Sequence, residues 1–290
     1  MTTQRHTICP ARNSWNRVHR RTVLAIAVAL TVAMPFAGSA GGDPRDPGEA
    51  PKSPGEVLHL GVEVREVLPH DPGAYTQGLL WSEGRLYEST GQFGESSLRR
   101  VDPATGRVEK EVSLAPELFG EGLALVDDRL IQLTWHSGVA VVYDAESFEE
   151  IDRYSYPGEG WGLCYDGYRL YMSDGTASLS LRDRESFEEV GRLQVTLEGR
   201  PLRALNELEC AEGWIYANVY QTDAIVRIDP HSGEVRAVID AADLLSPEER
   251  PAVDVLNGIA YRSDNGRFLL TGKYWPSIFE VDFTPRASRP

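Results

Sequence analysis

One acidic residue is distinguished by its neighbours: Glu121 lies between Gly120 and Gly122, directly before an alternating apolar run that is typical of paired β-strands. Glycines on both sides remove side-chain cover and free the backbone angles, so a carboxylate there can project into a cavity while the chain turns sharply. Glu121 is therefore a candidate for proton transfer. The alternative interpretation is a turn between strands, with the carboxylate in water.

Further candidates occupy corresponding places in similar stretches of the chain. Gln77, Trp161, Asn206 and Asn257 begin such stretches, and Trp135 and Lys273 follow a second strand. A carboxylate in an aromatic, partly dry site has a raised pKa, which lets it accept and donate a proton near neutral pH. Asn and Gln amides, or a Lys ammonium, can hold a developing oxyanion. Alternatively, the tryptophans are core residues and the polar residues cap turns.

The same positions do not carry the residues that two other mechanisms need. They hold no Ser, His and Asp set, and no cluster of Asp, Glu and His suggests a catalytic metal. Two cysteines and scattered histidines also make no zinc-ligand spacing. The sequence thus disfavours covalent and metal mechanisms, and we expect neither a metal nor a cofactor.

These candidates belong to five related units, and the repetition indicates the architecture. Each unit has a polar or aromatic lead residue, an apolar strand, a turn with Gly or Asp, and a second apolar strand. In the first four units two more strands follow, joined by a short polar turn that opens at or near an Asp. The units begin QGLLWSEGRLYEST at Gln77, EGLALVDDRLIQLT at Glu121, WGLCYDGYRLYMSD at Trp161, NELECAEGWIYANV at Asn206 and NGIAYRSDNGRFLLTG at Asn257.

Four strands per unit, at a spacing of about 40–50 residues, predict an all-β five-bladed propeller over residues 57–290. The fifth unit ends near Phe283 without an outer strand, which the alternating segment Leu58–Leu68 could supply. In a propeller the lead residues cluster at one mouth of the central channel, so the candidates would surround one pocket. A solenoid is the alternative, but it would need polar caps that the sequence does not show.

Residues 1–40 have the layout of a secretory signal. They contain five arginines and no Lys, Asp or Glu, then an apolar run with Pro35 near its end, and small residues up to Ala40. The run is shorter than the ~20 residues that a spanning helix needs. We predict cleavage after Ala40, a flexible linker over residues 41–56, and a secreted or periplasmic protein. The pair Arg20-Arg21 leaves the twin-arginine export route open.

Charge limits the partners of the remaining chain. After Ala40, 24 Lys and Arg residues face all 44 Asp and Glu residues, a net charge of about −20. Nucleic acids and anionic membrane surfaces are poor partners for such a protein. We expect neither as a partner, and we expect a monomer.

The cysteines predict one cross-link. Cys9 would leave with the signal segment, so Cys164 and Cys210 would form an even pair in an oxidising compartment. They occupy nearly equivalent places in neighbouring units, in WGLC and ELEC. We predict a disulfide between them, provided that the fold brings their Cα atoms within about 7 Å.

Several motifs together resemble one enzyme family. The matching segments are YTQGL from Tyr75, FGEGL from Phe119, LTW from Leu133, EGWGL from Glu159, LNELE from Leu205, ANVYQTD from Ala217, LNGIA from Leu256 and TGKYWP from Thr271. In this order, over roughly Leu58 to Phe283, they resemble the plant and bacterial type of glutaminyl-peptide cyclotransferase, also called glutamine cyclotransferase. That family has a five-bladed propeller and is unrelated to the zinc-dependent animal type.

The resemblance implies an activity and a role for each site residue. Members of the family convert the N-terminal glutamine of peptides or proteins to pyroglutamate with release of ammonia. The resemblance implies that Glu121 is the catalytic acid and base. The implied substrate-binding residues are Gln77, Asn206 and Lys273, which would polarise the carboxamide, and Phe119, Trp135, Trp161 and Tyr220, which would line the pocket. Similar proteins often have Phe at the position of Tyr75 and Trp at the position of Tyr220, so the pocket keeps aromatic walls.

Two other functions remain open from the sequence. One is a secreted, non-catalytic propeller that binds a peptide or a sugar without turnover. The other is a metal-dependent, lactonase-like propeller, which a chelator would inactivate. Release of ammonia from a peptide that begins with Gln separates the cyclase from the binding protein.

Overall fold

The structure is a computed structural model that describes residues 56–286, and this part of the chain is almost entirely β-strand. The predicted all-β class is confirmed. Arg250–Ala252, a single 3-10 turn, is the one helical element in the described range. None of the described residues form a helix long and apolar enough to cross a membrane. The predicted signal segment 1–40 and, apart from Glu56, the predicted linker lie outside the described residues.

The strands form five antiparallel groups of four, in the order of the predicted units. The first three groups are separate sheets. Their strands are β2 (Thr76–Ser82), β3 (Arg85–Thr90), β4 (Ser97–Val101) and β5 (Val108–Ser113); β6 (Gly120–Val126), β7 (Arg129–Thr134), β8 (Val139–Asp144) and β9 (Glu150–Ser155); and β10 (Leu163–Tyr165), β11 (Leu170–Met172), β12 (Ser178–Arg182) and β13 (Glu189–Gln194).

The fourth and fifth groups are joined into one eight-stranded sheet. A hairpin, β14 (Thr196–Leu197) with β15 (Arg200–Pro201), lies in the chain between the third and fourth groups. The strands of this sheet are β16 (Leu205–Ala211), β17 (Trp214–Val219), β18 (Ala224–Ile228) and β19 (Val235–Asp240), followed by β1 (Leu58–Pro69), β22 (Ser277–Pro285), β21 (Arg267–Gly272) and β20 (Leu256–Arg262).

The N-terminal strand completes the fifth group, as the alternation in Leu58–Leu68 predicts. β1 pairs antiparallel with β22, for example Val62 with Phe283. The sequence did not indicate a second pairing, in which the start of β1 runs parallel to β19, with Leu58 opposite Ala237. Twelve residues make β1 long enough to contact both neighbours, and this contact joins the fourth and fifth groups.

Each of the first four groups makes its last turn around an aspartate, also as predicted. Asp102 accepts hydrogen bonds from the backbone N–H of Ala104 (3.0 Å) and from the Thr105 hydroxyl (2.6 Å). Asp144 likewise accepts from the backbone N–H of Ser147 at 2.7 Å. An Asp side chain that satisfies the free N–H groups of a turn stabilises it. Asp183 and Asp229 make the corresponding bonds in the third and fourth groups.

The core consists of five apolar clusters, and each lies between two successive groups, the last between the fifth group and the first. Consecutive strand residues point to opposite faces of a sheet. In β7, Leu130 therefore packs against the first group and Ile131 against the third, and both are fully buried. This burial on both faces explains the continuous apolar runs of the middle strands. The first strands contact one another in the cyclic order β2, β6, β10, β16, β20 and back to β2.

The predicted disulfide is confirmed. Cys164 in β10 and Cys210 in β16 are bonded, and their Cα atoms lie 5.4 Å apart. Because β10 and β16 belong to different sheets, this bond is a covalent link between the third and fourth groups.

Candidate active site

One cavity of about 240 Å³ opens where the first strands begin. It is lined by the eight residues that the family resemblance implies as catalytic or substrate-binding, together with two others. The predicted residues are Gln77, Phe119, Glu121, Trp135, Trp161, Asn206, Tyr220 and Lys273, and the two additional residues are Tyr75 and Gln92. The structure therefore brings the predicted residues together, although they come from all five groups of strands.

Four first strands share an irregularity at the lead position, and three of these lead residues, Gln77, Glu121 and Asn206, reach the cavity. In β2, β6, β16 and β20 the pairing register shifts at the lead position, for example between Gly120 and Leu123 around Glu121. A residue within such a bulge is released from the strand ladder and can be re-aimed. Close packing accompanies the bulge: a Cβ atom on Gly122 would lie 2.5 Å from the backbone N of Leu163.

Glu121 is buried at the cavity wall, with 4% of its surface exposed. Its Oε1 accepts a hydrogen bond of 2.9 Å from Nε2 of Gln77. Burial raises the pKa of Glu121 well above its usual value, and the charge of Glu159 adds to this, whereas the ammonium of Lys273 lowers it. A carboxyl group with a raised pKa is suited to both accept and donate a proton near neutral pH.

Asn257 fixes the orientation of Gln77 from behind the cavity. Its Nδ2 donates to Oε1 of Gln77 at 3.2 Å and to the backbone carbonyl of Thr76 at 3.0 Å. With its carbonyl oxygen accepting this bond, the Gln77 amide turns its N–H₂ toward Glu121. Asn257 was predicted to border the pocket, and this prediction is wrong: the residue is fully buried and does not line the cavity.

Lys273 supplies the positive charge of the site. It is 3% exposed, and its Nζ lies 4.5 Å from the ring centre of Tyr75 and 5.4 Å from that of Tyr220. Aromatic faces attract a cation and replace part of its lost hydration. Burial lowers the pKa of Lys273, while the charges of Glu121 and Asp254 oppose that change.

Aromatic side chains form the remaining walls. Phe119 packs edge-on against Trp135, with ring centres 5.6 Å apart, and Trp161 does the same against Tyr220 at 5.5 Å. Both indole N–H groups point to Glu159, whose Oε2 accepts from Trp135 at 2.8 Å and from Trp161 at 2.9 Å. The walls are thus held by hydrogen bonds as well as by ring contacts.

Tyr75 was expected only as an aromatic wall, and neither Gln92 nor Glu159 was predicted as a site residue. Tyr75 directly precedes β2 as Phe119 precedes β6, and Gln92 follows β3 much as Trp135 follows β7. The positions that flank the first and second strands of each unit therefore carry a signal for Tyr75 and Gln92. Glu159 has no such signal, because it lies in a loop and acts through the tryptophans. Across residues 56–286, no three His, Cys, Asp or Glu side chains are grouped to hold a metal ion.

Comparison with known proteins identifies similar chains. A family model described as glutamine cyclotransferase matches residues 43–283. A glutaminyl-peptide cyclotransferase from Arabidopsis thaliana is 38% identical over 240 residues, and the match covers 79% of this chain and 75% of the relative. The crystal structure of Myxococcus xanthus glutaminyl cyclase superimposes with a TM-score of 0.72 and 36% identity, covering 80% of this chain and 100% of the other.

Proposed function

The chain belongs to the glutamine cyclotransferase family, and from this premise we propose that it is a glutaminyl-peptide cyclotransferase, an acyltransferase. It converts the N-terminal glutamine of peptides or proteins to pyroglutamate and releases ammonia. The observation that carries the proposal is the buried carboxylate of Glu121 in a cavity bounded by aromatic rings, amides and one ammonium group.

The reaction needs positioning and one proton shuttle. The free α-amine attacks the γ-carboxamide carbon of the same residue, so a C–N bond closes a five-membered ring and the bond to the carboxamide nitrogen breaks. Glu121 accepts the proton that the amine loses and gives it to the departing nitrogen, which leaves as ammonia. Because both reacting groups belong to one residue, holding that residue in the ring-closing conformation removes much of the barrier.

The polar residues of the cavity assist in distinct ways. Gln77 is fixed by Asn257 and bonds Glu121, so it holds the carboxylate in place. Asn206 and Lys273 line the same cavity and stabilise the oxygen that becomes negative when the amine attacks. Phe119, with the two indoles, keeps the apolar part of the glutamine side chain out of water.

The same proposal includes the finer architecture and the cellular setting. A five-bladed propeller is supported by the five four-stranded groups and by the cyclic contacts of their first strands. Export to a secreted or periplasmic location is supported by the layout of residues 1–40. We keep the expectation of a monomer with neither nucleic-acid nor membrane partners, which the acidic composition supports.

Ammonia release from matched peptides tests the activity. A peptide that begins with Gln should react, whereas an Asn peptide should not, because its product would be a strained four-membered ring. An acetylated Gln peptide should also be inert, because it lacks the nucleophilic amine. Release from the acetylated peptide would indicate an ordinary amidase, no release from any peptide would favour a binding protein, and loss of activity with chelator would favour a metal enzyme.

Two variants test the role of Glu121. Glu121→Gln keeps the size and polarity of the side chain but cannot carry the proton, so kcat should fall by about 10²–10⁴-fold. Glu209→Gln is the matched control, because Glu209 is also a buried carboxyl group but lines a separate cavity at the other ends of the first strands. Equal activity of Glu121→Gln and wild type would refute the assignment.

A further inference from the structure

One carboxylate oxygen holds two walls of the candidate active site. Glu159 lies in the loop between β9 and β10, and its Oε2 accepts from Nε1 of Trp135 and from Nε1 of Trp161 at 2.8 and 2.9 Å. Trp135 follows the second strand of the second group, whereas Trp161 leads the third group. Glu159 therefore connects rings that reach the cavity from two different sheets.

We propose that Glu159 is a positioning residue that clamps both indoles and so sets the width of the pocket that receives the glutamine side chain. The inference rests on the proposed function for the identity of the substrate. Glu159 does not line the cavity itself, so it acts through the rings that do.

The other contacts of the two indoles do not define their orientation as narrowly. Trp135 packs edge-on against Phe119 and lies over His136, with ring centres 3.7 Å apart, and Trp161 meets Tyr220 edge-on. Such ring contacts tolerate a range of tilts and offsets. An N–H donor is directional and weakens steeply when it is misaligned, so the shared acceptor limits how far either ring can turn in its plane.

Glu159 is suited to this role because it stays ionised. Burial works against the charged form, but the N–H donors of Trp161 and Trp135, together with the charge of His136, lower the pKa of Glu159 below its usual value. Hydrogen bonds to a charged acceptor are shorter and stronger than those between neutral groups. The second oxygen, Oε1, lies 3.6 Å from Nδ1 of His136, and both side chains are about half exposed, so that ion pair contributes little.

Three substitutions separate the length of the Glu159 side chain from its charge. Glu159→Gln keeps an oxygen at the same distance but removes the charge, Glu159→Asp keeps the charge but is one methylene too short to reach both indoles, and Glu159→Ala removes both. The clamp predicts that KM for a Gln dipeptide stays within about threefold of wild type in the Gln variant, because a neutral oxygen makes weaker bonds but still accepts from both indoles. In the Asp and Ala variants KM should rise about tenfold or more, because the oxygen that both indoles share is no longer within reach.

The readouts distinguish positioning from electrostatics. kcat should change less than KM in the Asp and Ala variants. The indole N–H proton resonances of Trp135 and Trp161, assigned with Trp→Phe variants, should move less in Glu159→Gln than in Glu159→Asp and Glu159→Ala. The opposite pattern, with Asp like wild type and Gln like Ala, would overturn the clamp in favour of a charge effect, and so would equal KM values in all four proteins.

The proposed function and the clamp can fail separately. A wild type that released no ammonia from Gln peptides would overturn the proposed function, while the N–H resonances would still decide whether Glu159 holds the indoles. An active wild type whose resonances and KM do not respond to Glu159→Asp or Glu159→Ala would overturn the clamp and leave the proposed function standing.

Discussion

The disulfide between Cys164 and Cys210 should contribute substantially to stability. The size of this contribution follows from the number of residues between the two cysteines. The two residues are 46 positions apart. In the chain-entropy description, closing a loop of that length removes roughly 13 cal/mol/K from the unfolded ensemble, which is about 4 kcal/mol at 25 °C. We therefore expect that reducing the bond lowers the free energy of unfolding by about 4 kcal/mol while the native strands remain paired.

Denaturant unfolding with and without a reductant measures this quantity. Reduced wild type and the double variant Cys164→Ala/Cys210→Ala should unfold at similar, lower denaturant concentrations than the oxidised protein. The slope of the transition should increase, because a chain without the cross-link exposes more surface when it unfolds. The double variant is the control for the reductant itself and should not respond to it.

Two results would refute the reasoning about the disulfide. One is an unfolding midpoint of wild type that is the same with and without reductant. The other is detection of two free thiols when the unreduced protein is alkylated. A loss much larger than 4 kcal/mol on reduction would instead mean that the bond also holds native contacts, since β10 and β16 come from separate sheets.

Three further outcomes follow from the buried polar groups. Asn257→Leu should lower kcat/KM about tenfold or more at unchanged circular dichroism, because Gln77 loses the donor that orients it. The acid limb of kcat/KM should move to higher pH in Lys273→Met, since the ammonium lowers the pKa of Glu121. Burial raises the pKa of Glu209 to about 8. The stability that this group contributes in its neutral form is therefore present at pH 5 and lost at pH 9. Relative to wild type, Glu209→Gln should increase the free energy of unfolding more at pH 9 than at pH 5.

Repetition made most of the fold predictable from sequence. The alternating runs recur in all five units and the aspartate turns in the first four, so one unit supports the interpretation of the next. The incomplete fifth unit pointed to Leu58–Leu68 as its missing strand. The parallel pairing of Leu58 with Ala237 could not be predicted in this way. It depends on how the edge strands of the fourth and fifth groups lie next to each other in space, and no local sequence pattern encodes that contact.

The candidate site was predictable to the extent that it follows the repeat. Equivalent positions converge, so Gln77, Glu121 and Asn206 could be grouped without a structure. Asn257 shows the limit of that reasoning, because its side chain turns behind Gln77 instead of into the cavity. Glu159 shows another limit: a loop carboxylate that serves two rings has no counterpart in the other units, and its partners are known only from their positions in space.

Side chains from five groups reach one cavity because the first strands lie close together, and the residue after each lead position permits this. Four of these residues are glycine, and they let the first strands approach closely: a Cβ on Gly162 would lie 2.1 Å from the carbonyl oxygen of Asn206. The fourth group has Glu207 instead. Its carboxylate accepts the backbone N–H groups of Ile259 at 2.9 Å and Leu79 at 3.3 Å, so it joins the first strands of three groups.

Glu121 holds the lead position of the second unit, and Glu207 holds the next position of the pattern in the fourth unit. Both are buried carboxyl groups, and burial raises the pKa of both. Their partners separate their roles. Glu207 is bound by backbone amides that cannot move without disturbing the strands, and it lines no part of the cavity. Glu121 is bound by a side-chain amide, faces the cavity and lies within the field of an ammonium group. A carboxyl group that must exchange protons with a substrate needs such access, so the surroundings of Glu121, and not its residue type or its pKa alone, support the catalytic role proposed for it.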